Sequence, residues 1–320
     1  MAATTQELII KSFQIHSGST AGGLKEKIEM IASHYGNIGS FLKANRKDFE
    51  KLVFKVDNKS FKLTDSDFAK IQAFQKSGLI DGKLSVQENF VKVLTTQFVQ
   101  RQLDMIENME LETLNVNPIL AGALNLDNET DLIRYYAYQA ISRSMVTSVG
   151  FLVQNLLLYA SPSILDGKHN ELGIETKWDL VVEKGKQPKA FLEIKSGTND
   201  LNKSQIHHFE KEIKQIEKQG FKAFIGETYG KREDKTVTHG LYKMYLPDWK
   251  KRTLIGKELW EFVSGQKDYQ EKLVDNLFKT SKELLADDTF IKKIELKIKP
   301  LSADFRKKYK TYNHFLKSLW

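Results

Sequence analysis

Asp179, Glu193 and Lys195 are the residues whose types and spacing best suit them to chemistry. Asp179 lies near the start of a strand-like run, WDLVVE (178–183), and Glu193 and Lys195 lie near the end of the next, AFLEIK (190–195). Residues two apart in a strand point to one face, so Glu193 and Lys195 project together while Leu192 and Ile194 point the other way, as core. Two carboxylates converging from adjacent strands can hold a hard divalent cation such as Mg²⁺ through oxygen ligands. An ammonium beside them can orient and help activate a water, while a metal neutralises charge on a phosphate in flight. Phosphodiester hydrolysis needs this set. The competing reading is a cross-strand ion pair on an exposed sheet face.

The tripeptide alone is weak. Nine acidic residues have a lysine two positions on: Asp57, Asp81, Asp166, Glu175, Glu193, Glu212, Glu233, Asp248 and Glu295. Only Glu193 has apolar flanks, an upstream aspartate in a hairpin partner, and a helix–strand unit behind it. The single Pro-Asp dipeptide, Pro247-Asp248, falls downstream of that unit and reads as a decoy.

The elements that must position these residues can be read from the pattern. A long helical stretch runs from about Glu129 to Ala160, and the segment Lys184-Gly185-Lys186-Gln187-Pro188 is turn chemistry between the two strands. A charged helix comes next, from about Lys203 to Gln219, stopped by Gly220, and FKAFIGE (221–227) is a third strand, placed for a parallel crossover. The order is helix, strand, strand, helix, strand. Four segments are expected: a helical N-terminal domain over 1–84, with Thr64 as a helix N-cap and with Lys43, Arg46, Lys47 and Lys51 equally compatible with a DNA-contacting domain and a small packing domain; a helical connector over 85–125; the α/β core over 126–250; and a basic helical region over 251–320.

The 320 residues carry 49 Lys+Arg against 41 Asp+Glu, a net charge of +8. From Ile291 to Trp320 nine basic residues face two acidic ones, so this segment holds +7 of the total, interleaved with Phe305, Tyr309, Tyr312, Phe315 and Trp320. A phosphate backbone would be attracted to such a tail, and so would an acidic protein. With no cysteine, disulfides, Cys-ligated zinc, iron–sulfur clusters and thiol nucleophiles are excluded. There is no G-x-x-x-x-G-K-[ST], G-x-S-x-G or His-Glu-x-x-His run, and the adjacent pair His207-His208 is poorly spaced for a metal. The apolar stretch Val149–Ala160, broken by Gln154 and Asn155, is too short to span a bilayer, and the N-terminal residues lack a basic and apolar leader. A cytoplasmic protein is expected.

Asp179…Glu193-Ile194-Lys195 resembles the metal-binding motif of the PD-(D/E)XK nuclease superfamily, whose core has the same element order. The continuation Lys195-Ser196-Gly197-Thr198-Asn199-Asp200-Leu201-Asn202-Lys203-Ser204-Gln205 is similar to the segment just after that motif in several type II restriction endonucleases. The resemblance covers about 131–230, with Trp178 in place of the usual proline. It implies Mg²⁺ held by Asp179, Glu193 and the Ile194 carbonyl, with Lys195 positioning the attacking water. It also implies double-stranded DNA cut at a short sequence to give 5′-phosphate and 3′-hydroxyl ends, and pairing with a DNA methyltransferase. Many relatives carry a glutamate on the preceding helix, where this chain offers Gln154, able only to assist through hydrogen bonding. Asn199, Asn202, Lys203 and Gln205 would lie beside the site, within reach of phosphate or sugar. Arg232, in the loop after the third strand, is the first choice for reading a base, with a solvated loop charge as the competing reading. A C2 dimer is expected, since a palindromic site mirrors two-fold symmetry. A structure-directed repair nuclease or junction resolvase, or a silent DNA-binding protein of the same fold, are the alternatives.

Overall fold

The structure is a computed structural model and describes residues 3–18, 24–52, 54–56, 59–168, 177–184, 187–197, 201–286, 288–309 and 311–320. The chain divides into two compact units, each drawn from two stretches: Met1–Leu94 with Leu152–Leu277, and Thr95–Phe151 with Phe278–Trp320.

The first unit opens with helices α1 (Thr5–Ser17), α2 (Leu24–Ala32), α3 (Ile38–Lys43) and α4 (Arg46–Glu50), then a two-stranded antiparallel ribbon of β1 (Phe54–Val56) and β2 (Lys59–Phe61), then α5 (Asp65–Lys76). Caps decide these boundaries. Asn45 with Asp48 closes a capping box on α4, and Thr64 with Asp67 closes one on α5, each satisfying N–H groups that a helix start leaves orphaned. Asp67 also takes an ion pair from Lys27 at 2.6 Å. The ribbon is an element the helical pattern of 1–84 did not predict.

Helix α6 (Val86–Glu107) runs from the first unit into the second and is followed by a short 3-10 turn (Leu111–Leu114) and α7 (Pro118–Ala123). Asn117 caps α7 and Pro118 occupies its first turn, where a missing N–H costs nothing. Helix α8 (Glu129–Leu158) returns to the first unit. It has a stretch of mean hydropathy 1.2, long and apolar enough to cross a membrane by length and composition, which goes beyond the reading of Val149–Ala160. Leu132, Ile133, Tyr136, Ala137 and Ile141 at one end of it belong to the core of the second unit, and Leu156 and Leu157 at the other end to that of the first.

Five strands form the central sheet: β3 (Ile164–Asp166), β4 (Leu180–Lys184), β5 (Gln187–Lys195), β6 (Lys222–Glu227) and β7 (Thr253–Ile255), in that spatial order. β3, β4 and β5 are antiparallel neighbours, while β5, β6 and β7 run parallel. The crossover from β5 to β6 is α9 (Lys203–Lys218), and α10 (Val237–Tyr245) and α11 (Trp249–Arg252) connect β6 to β7. The remaining helices are α12 (Lys257–Ser264), α13 (Tyr269–Leu285), α14 (Phe290–Lys308) and α15 (Tyr312–Ser318). The expected helix–strand–strand–helix–strand order is present. β3 and β7 enlarge it, each three residues long and too short to show an alternating pattern.

Alternation along the strands separates the two sheet faces. Leu180, Val182, Ala190 and Leu192 pack with Leu259, Trp260 and the N-terminal helices. Val181, Phe191, Ala223 and Ile225 pack with Ile206, Phe209 and Ile213 of α9 and Tyr242 of α10. Glu193 and Lys195 come after Phe191 at two-residue steps and therefore stand on the α9 face. The second unit is helical, with Ile294, Ile298, Leu301, Phe305 and Phe315 of α14 and α15 closing over Ile106, Leu132, Tyr136 and Ile141.

Candidate active site

Asp179 immediately precedes β4, whose Leu180 pairs with Leu192; one further step of that register sets Asp179 opposite Glu193. The Ile194 N–H donates to Asp179 Oδ2 at 2.8 Å, fixing the carboxylate against β5. The strand start is held from its other side by Gly167, whose N–H donates to the Asp179 carbonyl at 2.9 Å. A Cβ at Gly167 would collide with the Trp178 carbonyl oxygen, so only glycine permits this approach.

Lys195 Nζ lies 2.8 Å from Glu193 Oε1, with side-chain exposures of 18% and 15%, so this is a mostly buried pair and not a solvated surface one. The ammonium also sits 5.2 Å above the Phe209 ring. Burial pushes the Glu193 carboxyl above the ordinary range; the Lys195 hydrogen bond opposes this, and the nearby charges of Asp179 and Glu212 add to it. A desolvated carboxylate with two acidic neighbours is a place where a cation is electrostatically welcome. Among the described residues no three His, Asp or Glu side chains converge to hold a metal. A cation here would take the two carboxylates and complete its shell with backbone oxygen and water, the habit of Mg²⁺. The donor set fits that ion.

The other expected residues are placed variously. Asn202 caps α9 and exchanges hydrogen bonds with Gln205 in a capping box, at 3.0 and 2.9 Å, so both exposed side chains already serve the helix start. Lys203 lies over the Tyr245 ring at 4.7 Å. Asn199 lies outside the described residues. Gln154 is half-buried on α8. Arg232 is spent within the fold: its guanidinium donates to Glu258, to Thr253 Oγ1 at 2.9 Å and to the Thr253 carbonyl at 2.7 Å, and lies 5.7 Å from the Trp249 ring. Reading a base with Arg232 would require breaking these bonds.

Three groups near the site were not foreseen. Glu212, on the α9 face beside Phe209 and Ile213, acts on Glu193 and pairs with His208 at 3.0 Å; its place between buried helix positions was the available signal. Glu227 and His239, 0% and 1% exposed, form a pair at 3.0 Å at the end of β6. They lie in separate elements, with nothing in their spacing to join them.

The sequence profile of the family described as type II restriction endonuclease EcoO109I matches residues 85–284, more than half of the chain and the whole of the five-stranded sheet. The chain belongs to that family. No curated protein matches it. As a member of the EcoO109I family the protein is a restriction endonuclease, a hydrolase acting on DNA. Asp179, Glu193 and Lys195 all fall within the matched stretch.

Proposed function

We propose that the protein is a Mg²⁺-dependent type II enzyme of the PD-(D/E)XK kind, hydrolysing double-stranded DNA at a short recognition sequence. The observation carrying this reading is the buried Glu193–Lys195 pair, with Asp179 bound to the Ile194 N–H between them. Asp179, Glu193 and the Ile194 carbonyl would hold Mg²⁺, which when bound supplies charge neutralisation at the scissile phosphate and lowers the cost of deprotonating a water. Lys195 orients that water through a hydrogen bond from Nζ and stabilises its developing negative charge. The water oxygen bonds to phosphorus as the bond to the 3′ oxygen breaks, leaving a 5′-phosphate and a 3′-hydroxyl. Phe209, under the ammonium, limits its motion and excludes bulk water.

The enzyme is proposed to act as a C2 dimer in the cytoplasm, with a cognate methyltransferase protecting host DNA, since one such site cuts one strand and a palindrome presents two. Digestion of mixed-sequence plasmid and phage DNA, with Mg²⁺ and with EDTA, followed by end sequencing, tests the reading. Metal-dependent fragments sharing one terminal sequence are expected. Smearing, cleavage of branched DNA only, or binding without cleavage would overturn it in favour of a structure-directed nuclease or a silent binding protein. Asp179→Ala and Glu193→Ala should each lower cleavage at least a thousandfold while DNA binding persists; wild-type rates in both would remove these residues from the mechanism.

A further inference from the structure

Lys195 and Glu227 are aligned partners on the parallel strands β5 and β6. Aligned residues of parallel neighbours project to one face about 5 Å apart, and the adjoining pairs Phe191–Ala223 and Glu193–Ile225 do so toward α9. Glu227 is fully buried, and its two oxygens are treated differently. Oε2 meets His239 Nε2 at 3.0 Å, whereas Oε1 is buried without a hydrogen-bond partner. Leaving a buried carboxylate oxygen unmatched is costly.

The protons of the pair can be counted. His239 Nδ1 lies 3.0 Å from the Asp234 carbonyl, which can only accept, so Nδ1 carries a hydrogen. The contact between Nε2 and Oε2 then needs one further proton shared between them. The pair is thus held in place, braced by the Thr228 N–H to the Lys195 carbonyl at 3.2 Å, and Glu227 Oε1 is the one acceptor it leaves unused.

Lys195 has one ammonium, paired with Glu193 on its own strand, and a second carboxylate stands at its aligned position on β6. We propose that Glu227 is the second anchor of Lys195: when Glu193 is taken up by a cation, Nζ turns from Glu193 to the vacant Oε1 of Glu227, one strand away. The inference rests on the proposed function for the identity of that cation. Glu227 is a positioning residue. It keeps the ammonium beside the bound cation, where repulsion from that ion would otherwise drive the lysine into solvent, and His239 and Asp234 keep Glu227 in place.

A double-mutant cycle of unfolding in urea tests the pairing without turnover or metal. Lys195→Met retains the stem over Phe209, and Glu227→Gln retains a bond to His239, since the amide can donate to Nε2. In the otherwise unaltered protein, where Lys195 is paired with Glu193, little coupling is expected. In a Glu193→Ala background Lys195 should turn to Glu227, and coupling of about fivefold or more in the unfolding equilibrium is expected. Coupling that is absent in that background, or equal in both, overturns the proposal. With metal and DNA, Glu227→Gln should lower kcat about tenfold with KM little changed, and Glu227→Asp should recover part of the loss; equal loss in both variants, with normal unfolding curves, would also count against it. Calorimetric titration with Mg²⁺ separates the two hypotheses, because failure of the native protein to bind the ion sinks the proposed function and leaves the coupling result standing.

Discussion

Glu193 combines a chemical task with a structural cost. Burial raises its carboxyl against the Lys195 bond, with Asp179 and Glu212 adding to the shift. A carboxyl raised in the folded state contributes stability that is complete below its unfolded pKa and lost as pH rises through the folded value. At neutral pH the ionised group therefore burdens the metal-free protein. Glu193→Gln should raise Tm at neutral pH and leave it little changed in acid, as thermal melts between pH 4 and 8 would register; a variant less stable than the parent at neutral pH would contradict this. Asp67 behaves oppositely. Burial raises it, but the Lys27 bond and the Thr64 donors outweigh that and hold it low, so its contribution is present above the unfolded pKa and fades as pH falls through the folded one. The shared face of Glu193 and Lys195 was legible in the sequence, because strand alternation forces it, and the hairpin pattern placed Asp179 at the start of the partner strand. It could not disclose Glu227 with His239, whose meeting depends on how α10 packs on β6.

Elements deliver these residues through a few local devices. Gly167 lets β3 approach the start of β4, so Gly167→Ala should push the Trp178 carbonyl away and carry Asp179 with it. Cleavage is expected to fall at least tenfold with the melting curve only modestly shifted; wild-type cleavage would show that the strand start tolerates the extra carbon. The Thr64 cap lies in the N-terminal helices, and Thr64→Ala should cost about 1 kcal/mol by urea unfolding with no effect on cleavage at saturating Mg²⁺. Both the hairpin and α9 were readable from alternation and turn residues, as was the cap itself. β3 and β7 were not, because three residues carry no period, and β7 has its place in the sheet only through pairing with β6. Arg232 teaches the same lesson from a loop: charge and position suggested a base contact, whereas Glu258 and the Thr253 carbonyl occupy its fork.

At the scale of the whole molecule, the basic C-terminal segment combines buried aromatic and exposed basic residues. Phe305 and Phe315 are core, while Lys299, Lys307 and Lys317 are exposed. Deleting 306–320 would therefore remove packing along with charge. Replacing Lys299, Lys307 and Lys317 by alanine isolates the charge: the slope of log affinity against log salt should fall by roughly 0.9 for each lysine that neutralises a phosphate, with Tm unchanged. An unchanged slope would assign those lysines to solvation alone. The charge surplus was legible in composition, but the interleaving of the two units was not, since it depends on contacts between residues far apart in the chain. That interleaving bears on how the protein is made. Tyr136 and Ile141 emerge from the ribosome long before Ile294 and Phe305, the residues that cover them. At about 5–20 residues per second the delay is roughly ten to thirty seconds. During it α8 offers a bare apolar flank, with Val146 and Phe151 exposed even in the finished fold. The nascent chain is thus a natural client for a chaperone, and its yield in a cell should depend on translation speed more than that of an enzyme folded from consecutive segments.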